Sequence, residues 1–171
     1  TGDWAFYLEG DEVVHEAELA NIRASVDKHH SNPAVEAFVF DYFHFYGTPE
    51  FVANSPAWYR RECRLIRNTI RSYAPDGQYW LITANHKKGR NPQAALANAH
   101  IYHYGWVKHP KFQQQKQAQF HRLWHGDEYM NSKVLIANEF DYSNIDSLKH
   151  FKETHPAVMQ NRIDSMDWQF E

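Results

Sequence analysis

The strongest pattern along the chain is an alternating run at residues 34–47, "AVEAFVFDYFHFYG". Val35, Ala37, Val39 and Asp41 fall on one face of a strand, and Glu36, Phe38, Phe40 and Tyr42 on the other. Gly47 and Pro49 close it. "DWAFYLEG" (3–10) is apolar without alternation, which fits an interior strand covered on both faces. From Glu16 to about His29 the period changes: Leu19, Ile22 and Val26 recur at three- and four-residue steps and predict a helix. "TPEFVANSPAW" (48–58) is crowded with turn residues and reads as a loop. "RRECRLIRN" (60–68) alternates charge and apolar residues, as a strand with one wet face does. "APDGQ" (74–78) is a turn, "YWLITA" (79–84) a short strand and "HKKGRNPQ" (86–93) a basic loop.

"ALANAHIYHYGWV" (95–107) is again strand-like. "HPKFQQQKQAQFHRLWHG" (109–126) predicts a helix, with a proline near its start and Gly126 near its stop. "DSLKHFKETHP" (146–156) looks helical, and "PAVMQNRIDSM" (156–166) looks like a closing helix begun by Pro156. Strands alternating irregularly with helices predict a mixed sheet flanked by helices, α/β or α+β, as one domain over residues 1–171.

Composition narrows the function. A formal net charge of -3 lacks the basic footprint of a nucleic-acid partner. Aromatic residues are 16% of the chain; most belong to core and strand positions, although Tyr and Trp also suit sugar-binding surfaces. The lone cysteine, Cys63, can form no internal disulfide and is expected half-buried in a strand. No stretch is apolar enough to span a bilayer and no signal peptide opens the chain, so a cytoplasmic location without an integral membrane segment is expected.

The densest chemistry is in "FYLEGDEVVHE" (6–16). If the first strand persists, Glu9 and Asp11 project from one face. Hard oxygen donors at a strand end suit Mg²⁺ or Mn²⁺, and Gly10 between them would allow close approach. The same residues would also serve as an acidic turn opening the next helix. His15-Glu16 evokes a zinc protease, but that motif needs a histidine where Leu19 stands. His100 and His103, three apart in a strand, face opposite sides and are not expected to share one metal. His44 and Tyr46 in "FHFYG" could contact a sugar or pack in the strand. Arg60, Arg61, Arg64, Arg67 and Arg71 offer guanidinium forks to phosphate or carboxylate, with Arg64 and Arg67 on opposite faces. There is no P-loop, dinucleotide glycine fingerprint or nucleophile elbow.

Taken in order, "GDWAFYLEGDEVVHE", "FHFYG", "ECRLIRN", "HIYHYGWVKHP" and "HPAVMQNRI" with "DW" resemble the later two thirds of bacterial family 2-like glycosyltransferases, over nearly the whole chain. The resemblance implies the C-terminal portion of an A-type nucleotide-diphospho-sugar transferase fold. It also implies a divalent cation, Mn²⁺ or Mg²⁺, at an Asp-x-Asp-type motif. Here the matching residues are Glu9, Gly10 and Asp11; Glu stands at the first acidic position, so Asp11 is the firmer ligand, and His103 matches the histidine that often completes such a site. Inverting transfer from a nucleotide-sugar donor to a glycan or small-molecule acceptor follows, with Asp76 or Glu12 as acceptor base and His44, Tyr46, Arg64 and Asn68 contacting acceptor or sugar. The family's nucleotide-binding βα units precede this motif, so the chain is expected to be a fragment of a longer domain. An interrupted sheet would expose an edge that favours a homo-oligomer. The same residues would also suit a non-catalytic module of this fold or a metal-dependent hydrolase.

Overall fold

The computed structural model describes residues 3–75, 79–83, 88–123, 125–134 and 137–169. The chain is a mixed α/β protein that divides into two compact units. The first comprises Thr1–Phe43, Pro56–His103 and His155–Val158; the second comprises His44–Ser55, Tyr104–Thr154 and Met159–Glu171. Two long strands, β3 (Ala37–Tyr46) and β8 (Ala94–Trp106), contribute segments to both units. They pair with each other. The Glu36 N–H donates to the Gln93 carbonyl (2.8 Å) where the strands begin, and the Gly47 N–H to the Trp106 carbonyl (3.1 Å) where they end, so the pair runs parallel. The other pairs with a described register are antiparallel, and this combination makes the sheet mixed.

In the first unit, β1 (Trp4–Phe6) pairs with β5 (Arg61–Arg67), β5 with β3, and β2 (Glu12–Val14) with β8. The alternation legible in β3 sorts two apolar clusters onto its faces. Phe38 and Phe40 pack with Leu65, Ala97, Ala99, Ile101 and Ile22 of helix α1 (Leu19–His29). Ala37 packs on the other side with Cys63, Ile66 and Ile82. Both faces are covered, so Cys63 is more deeply enclosed than a half-wet strand implies, and burial pushes its thiol up to about 12. Helix α1 ends against Arg67, whose Nη2 donates to the carbonyls of His30 (3.3 Å) and Asn32 (3.1 Å). Its guanidinium carbon lies 4.4 Å from the Trp4 ring. One arginine thus binds carbonyls at and just past the helix C-terminus and stacks on an aromatic ring.

Short strands β6 (Ser72–Tyr73) and β7 (Leu81–Ile82) form a separate ribbon. Ile82 bridges to Arg90. At Gly89 (φ +76) a Cβ would meet the Leu81 Cβ at 2.9 Å, so only glycine fits this approach.

Arg90 grips Glu36 with two hydrogen bonds of 2.6 and 2.7 Å, and the Gln93 N–H adds a third at 2.8 Å. The hydrogen bonds from Arg90 hold the Glu36 carboxyl below its ordinary 4.5. A lowered folded pKa means stability that is present above the unfolded pKa and lost as pH falls through the folded one. Glu36→Gln should therefore cost about 1 kcal/mol at pH 7, since Arg90 is partly open to solvent. The gap to wild type should close below the ordinary glutamate pKa, as urea unfolding at pH 7 and pH 3 would show; a pH-independent gap would contradict this.

The second unit holds the ends of β3 and β8, β4 (Thr48–Ala53), β9 (Leu148–His150) and helices α2 (Pro110–Arg122), α3 (Asp127–Tyr129) and α4 (Gln160–Asp164). Two expectations fail here. Residues 48–53 are a strand rather than a loop: Gly47, at φ 70, reverses the chain and pairs Tyr46 with Thr48. Residues 148–150 form β9 rather than a helix, with Phe51, Val52 and Ala53 opposite His150, Lys149 and Leu148. The closing helix keeps its expected place as a 3₁₀ turn (Ala157–Met159) followed by α4. Phe45 anchors this unit between Tyr104 (ring centroids 4.5 Å, stacked) and the edge of Phe151 (4.9 Å). Among the described residues no helix is long and apolar enough to cross a membrane.

Candidate acidic-turn site

The first strand ends at Phe6, short of the acidic residues. The Glu12 N–H donates to the Glu9 carbonyl at 3.1 Å, closing a four-residue turn before β2 begins. Glu9 and Asp11 therefore do not share a strand face, contrary to the spacing argument. A Cβ at Gly10 would meet nothing within 4 Å, so no described neighbour in the chain requires glycine there.

The turn sends its carboxylates in two directions. Glu12 goes inward. Its Oε1 accepts from Arg64 Nη2 (2.8 Å) and the Tyr42 hydroxyl (2.8 Å). Its Oε2 accepts from Arg64 Nε (2.8 Å) and the Glu9 N–H (3.2 Å). Both side chains of the Arg64–Glu12 pair are 0% exposed. Arg64 Nη2 also reaches Glu9 Oε1 at 3.1 Å, and Nη1 donates to the Cys63 carbonyl at 3.3 Å. The rings of Tyr7 and Tyr42 stand 5.6 and 5.5 Å from the guanidinium carbon. Burial, the largest single influence, disfavours the Arg64 charge, but its hydrogen bonds to Glu12 and the negative groups around it together outweigh burial and raise the pKa above the ordinary arginine value. Burial, followed by the Glu12 charge, pushes the Tyr42 phenol far up, so it remains a donor.

Asp11 goes the other way. The register of β2 on β8 sets Glu12 opposite His103, and the neighbouring Asp11 Oδ1 approaches His103 Nε2 to 3.6 Å. Asp11 and His103 keep 28% and 14% of their side-chain surface, so both are partly reachable.

Of the residues singled out in the sequence, the turn region gathers Glu9, Asp11, Glu12, Arg64 and His103. The others lie elsewhere or play other parts. Glu12 does not suit the role of acceptor base, because a proton could be taken only by breaking its pair with Arg64. Arg64 does not suit a substrate contact, because none of its side chain reaches the surface. His44 and Tyr46 belong to the second unit and are buried. Tyr46 stacks on Trp106 (5.8 Å) and meets Tyr142 edge-on (5.2 Å), a core position rather than a sugar platform; burial pushes its phenol up to about 12. Asn68 is exposed just past β5, its N–H donating to the Asp3 carbonyl at 2.9 Å. Asp76 lies outside the described residues.

Sequence reasoning missed Tyr42 and Tyr59. Tyr42 reads in β3 as one more alternating aromatic, yet its hydroxyl donates to Glu12; Tyr59 meets the Tyr42 ring edge-on at 5.0 Å. Neither has a local signal, because the partner is brought by a different strand. His100 takes different partners from His103. Its Nδ1 is 2.6 Å from Glu18 Oε1, its backbone N–H donates to Glu18 Oε2 (2.8 Å), and its ring stacks on Phe43 (4.4 Å).

The Asp11–His103 pair suits a divalent cation in donor type and spacing. Neighbouring ligands on an octahedral ion with bonds of about 2.1 Å stand about 3 Å apart, near the 3.6 Å between these donors. Among the described residues there is no group of three His, Cys, Asp or Glu placed to hold a metal. A site here would take two protein ligands, leaving the remaining positions to water and substrate oxygens, as Mg²⁺ and Mn²⁺ sites commonly do. The imidazole favours Mn²⁺ of the two. No protein-family model matches the chain, and no curated protein or solved structure matches it.

Proposed function

We propose that the chain is the metal- and acceptor-binding portion of an inverting glycosyltransferase that uses a nucleotide-diphospho-sugar donor. The observation that supports this best is the approach of Asp11 to His103 at 3.6 Å beside an ordered acidic turn, where the family resemblance expects the cation ligands. Bound Mn²⁺ or Mg²⁺ would neutralise charge on the departing nucleoside diphosphate. Asp11 and His103 hold it. Asp76 serves as the carboxylate that deprotonates the acceptor hydroxyl, and the exposed Asn68 offers an acceptor contact. A nucleotide-sugar donor places the reaction in the cytoplasm, in keeping with a chain whose one cysteine can form no internal disulfide.

The test is calorimetric titration of Mn²⁺ with UDP, GDP and dTDP. Wild type should bind at least one metal–nucleotide pair, and Asp11→Ala should weaken it by about tenfold or more, because charge count among the ligands sets affinity. Equal binding by Asp11→Ala would overturn the assignment.

A further inference from the structure

Three carboxylates within four residues repel one another, and an unsupported turn of this composition would sample many arrangements. The arrangement in the structure sets Asp11 beside His103. The geometry points to Arg64 as the positioning residue of the proposed cation site, an inference that rests on the glycosyltransferase reading. Arg64 touches neither ion nor substrate, since its side chain is 0% exposed. It acts through the turn by binding both of its ends.

The ends are Glu9 and Glu12. One guanidinium reaches both: two bonds of 2.8 Å go to Glu12 and one of 3.1 Å to Glu9. The turn's own bonds, Glu12 N–H to the Glu9 carbonyl and Glu9 N–H to Glu12 Oε2, lock the same two residues together. With Glu9 and Glu12 drawn to Arg64, Asp11 is the carboxylate of the turn that approaches His103. The cation of Arg64 also offsets part of the local negative charge, so the flanking carboxylates do not compete with Asp11 for a metal. Lysine could not do this: its compact ammonium keeps the charge but lacks the planar fork that holds two carboxylates in fixed directions. Groups that orient ligands without touching the metal commonly change its affinity by about 10–100-fold.

The experiment compares Mn²⁺ binding with UDP, GDP or dTDP in wild type, Asp11→Ala, Arg64→Lys and the neutral pair Glu12→Gln/Arg64→Gln, with folding verified by circular dichroism. The neutral pair matters because it leaves no buried charge unpaired, so it keeps the fold even if Arg64→Lys, which retains the charge without the fork, fails to fold. Positioning predicts that the folded neutral pair binds about tenfold more weakly than wild type. It also predicts that adding Asp11→Ala to the pair costs less than Asp11→Ala alone, because the two sites are coupled. The electron paramagnetic resonance spectrum of bound Mn²⁺ should change as well. If the neutral pair binds and looks like wild type while Asp11→Ala is impaired, Arg64 is not a positioning residue and the metal reading stands. If wild type binds no metal–nucleotide pair, or Asp11→Ala binds as wild type does, the metal reading falls and this inference with it.

Discussion

Arg64→Gln is expected to cost about 3–5 kcal/mol of unfolding free energy, read as a large drop in the urea midpoint at pH 7. The magnitude follows from burial, not from the number of bonds. An exposed ion pair contributes about 1 kcal/mol or less, because water competes for both charges. Arg64 and Glu12 are both 0% exposed, so removing the guanidinium leaves a carboxylate enclosed among Tyr42, Glu9 and the backbone with no counter-charge. The partner experiment separates this penalty from the worth of the pair itself. Glu12→Gln/Arg64→Gln should recover most of the loss, because buried ion pairs are often close to neutral against well-packed uncharged replacements. A loss of about 1 kcal/mol for Arg64→Gln would mean that water reaches the pair.

Phe45→Ala should destabilise the second unit by about 3–5 kcal/mol, a value typical of truncating a buried Phe. Phe45 is 0% exposed, with Tyr104 stacked against it and Phe151 against its edge. Alanine would leave a void bordered by rigid rings that cannot collapse to fill it. Phe45→Leu, which keeps most of the volume but loses the ring contacts, should fall between the two. Urea unfolding followed by tyrosine and tryptophan fluorescence would measure all three. Equal stability of Phe45→Ala and wild type would show that the ring stack contributes nothing to this unit.

The two effects differ in how far the sequence announced them. Phe45 sits in a strand that was legible from its alternation, but His44, Phe45 and Tyr46 are all buried in succession, so the pattern marks the element rather than the residue. Arg64 was visible as a member of an arginine series, with no sign of its partner. Its carboxylate lies 52 positions away, and nothing local in "ECRLIRN" distinguishes an arginine paired in the interior from one facing water. The same limit explains the two misread elements. Pro49, Asn54 and Pro56 around "EFVA" carry turn signals, yet the strand forms because Phe51, Val52 and Ala53 find a partner in β9. Leu148 and Phe151 have helical spacing, but Phe151 is claimed by Phe45 and its N–H by the Glu50 carbonyl. Short segments follow whichever pairing the rest of the chain offers.

What the amino-acid sequence determined by itself is therefore what depends on neighbours within a few residues. Alternation specified β3, a strand-like run marked β8, the three-to-four period specified α1, a proline near its start and a glycine near its stop bounded α2, and the crowding of Glu9, Asp11 and Glu12 marked the candidate site. What only the tertiary structure decided is where each of those carboxylates goes. Period-two reasoning paired Glu9 with Asp11; the fold instead paired Glu9 and Glu12 with Arg64 and set Asp11 beside His103. The physical reason is that a charge is placed by the balance between losing water and gaining a counter-charge. Here that counter-charge arrives on β5, and the histidine on β8, both brought in by strand pairing far along the chain.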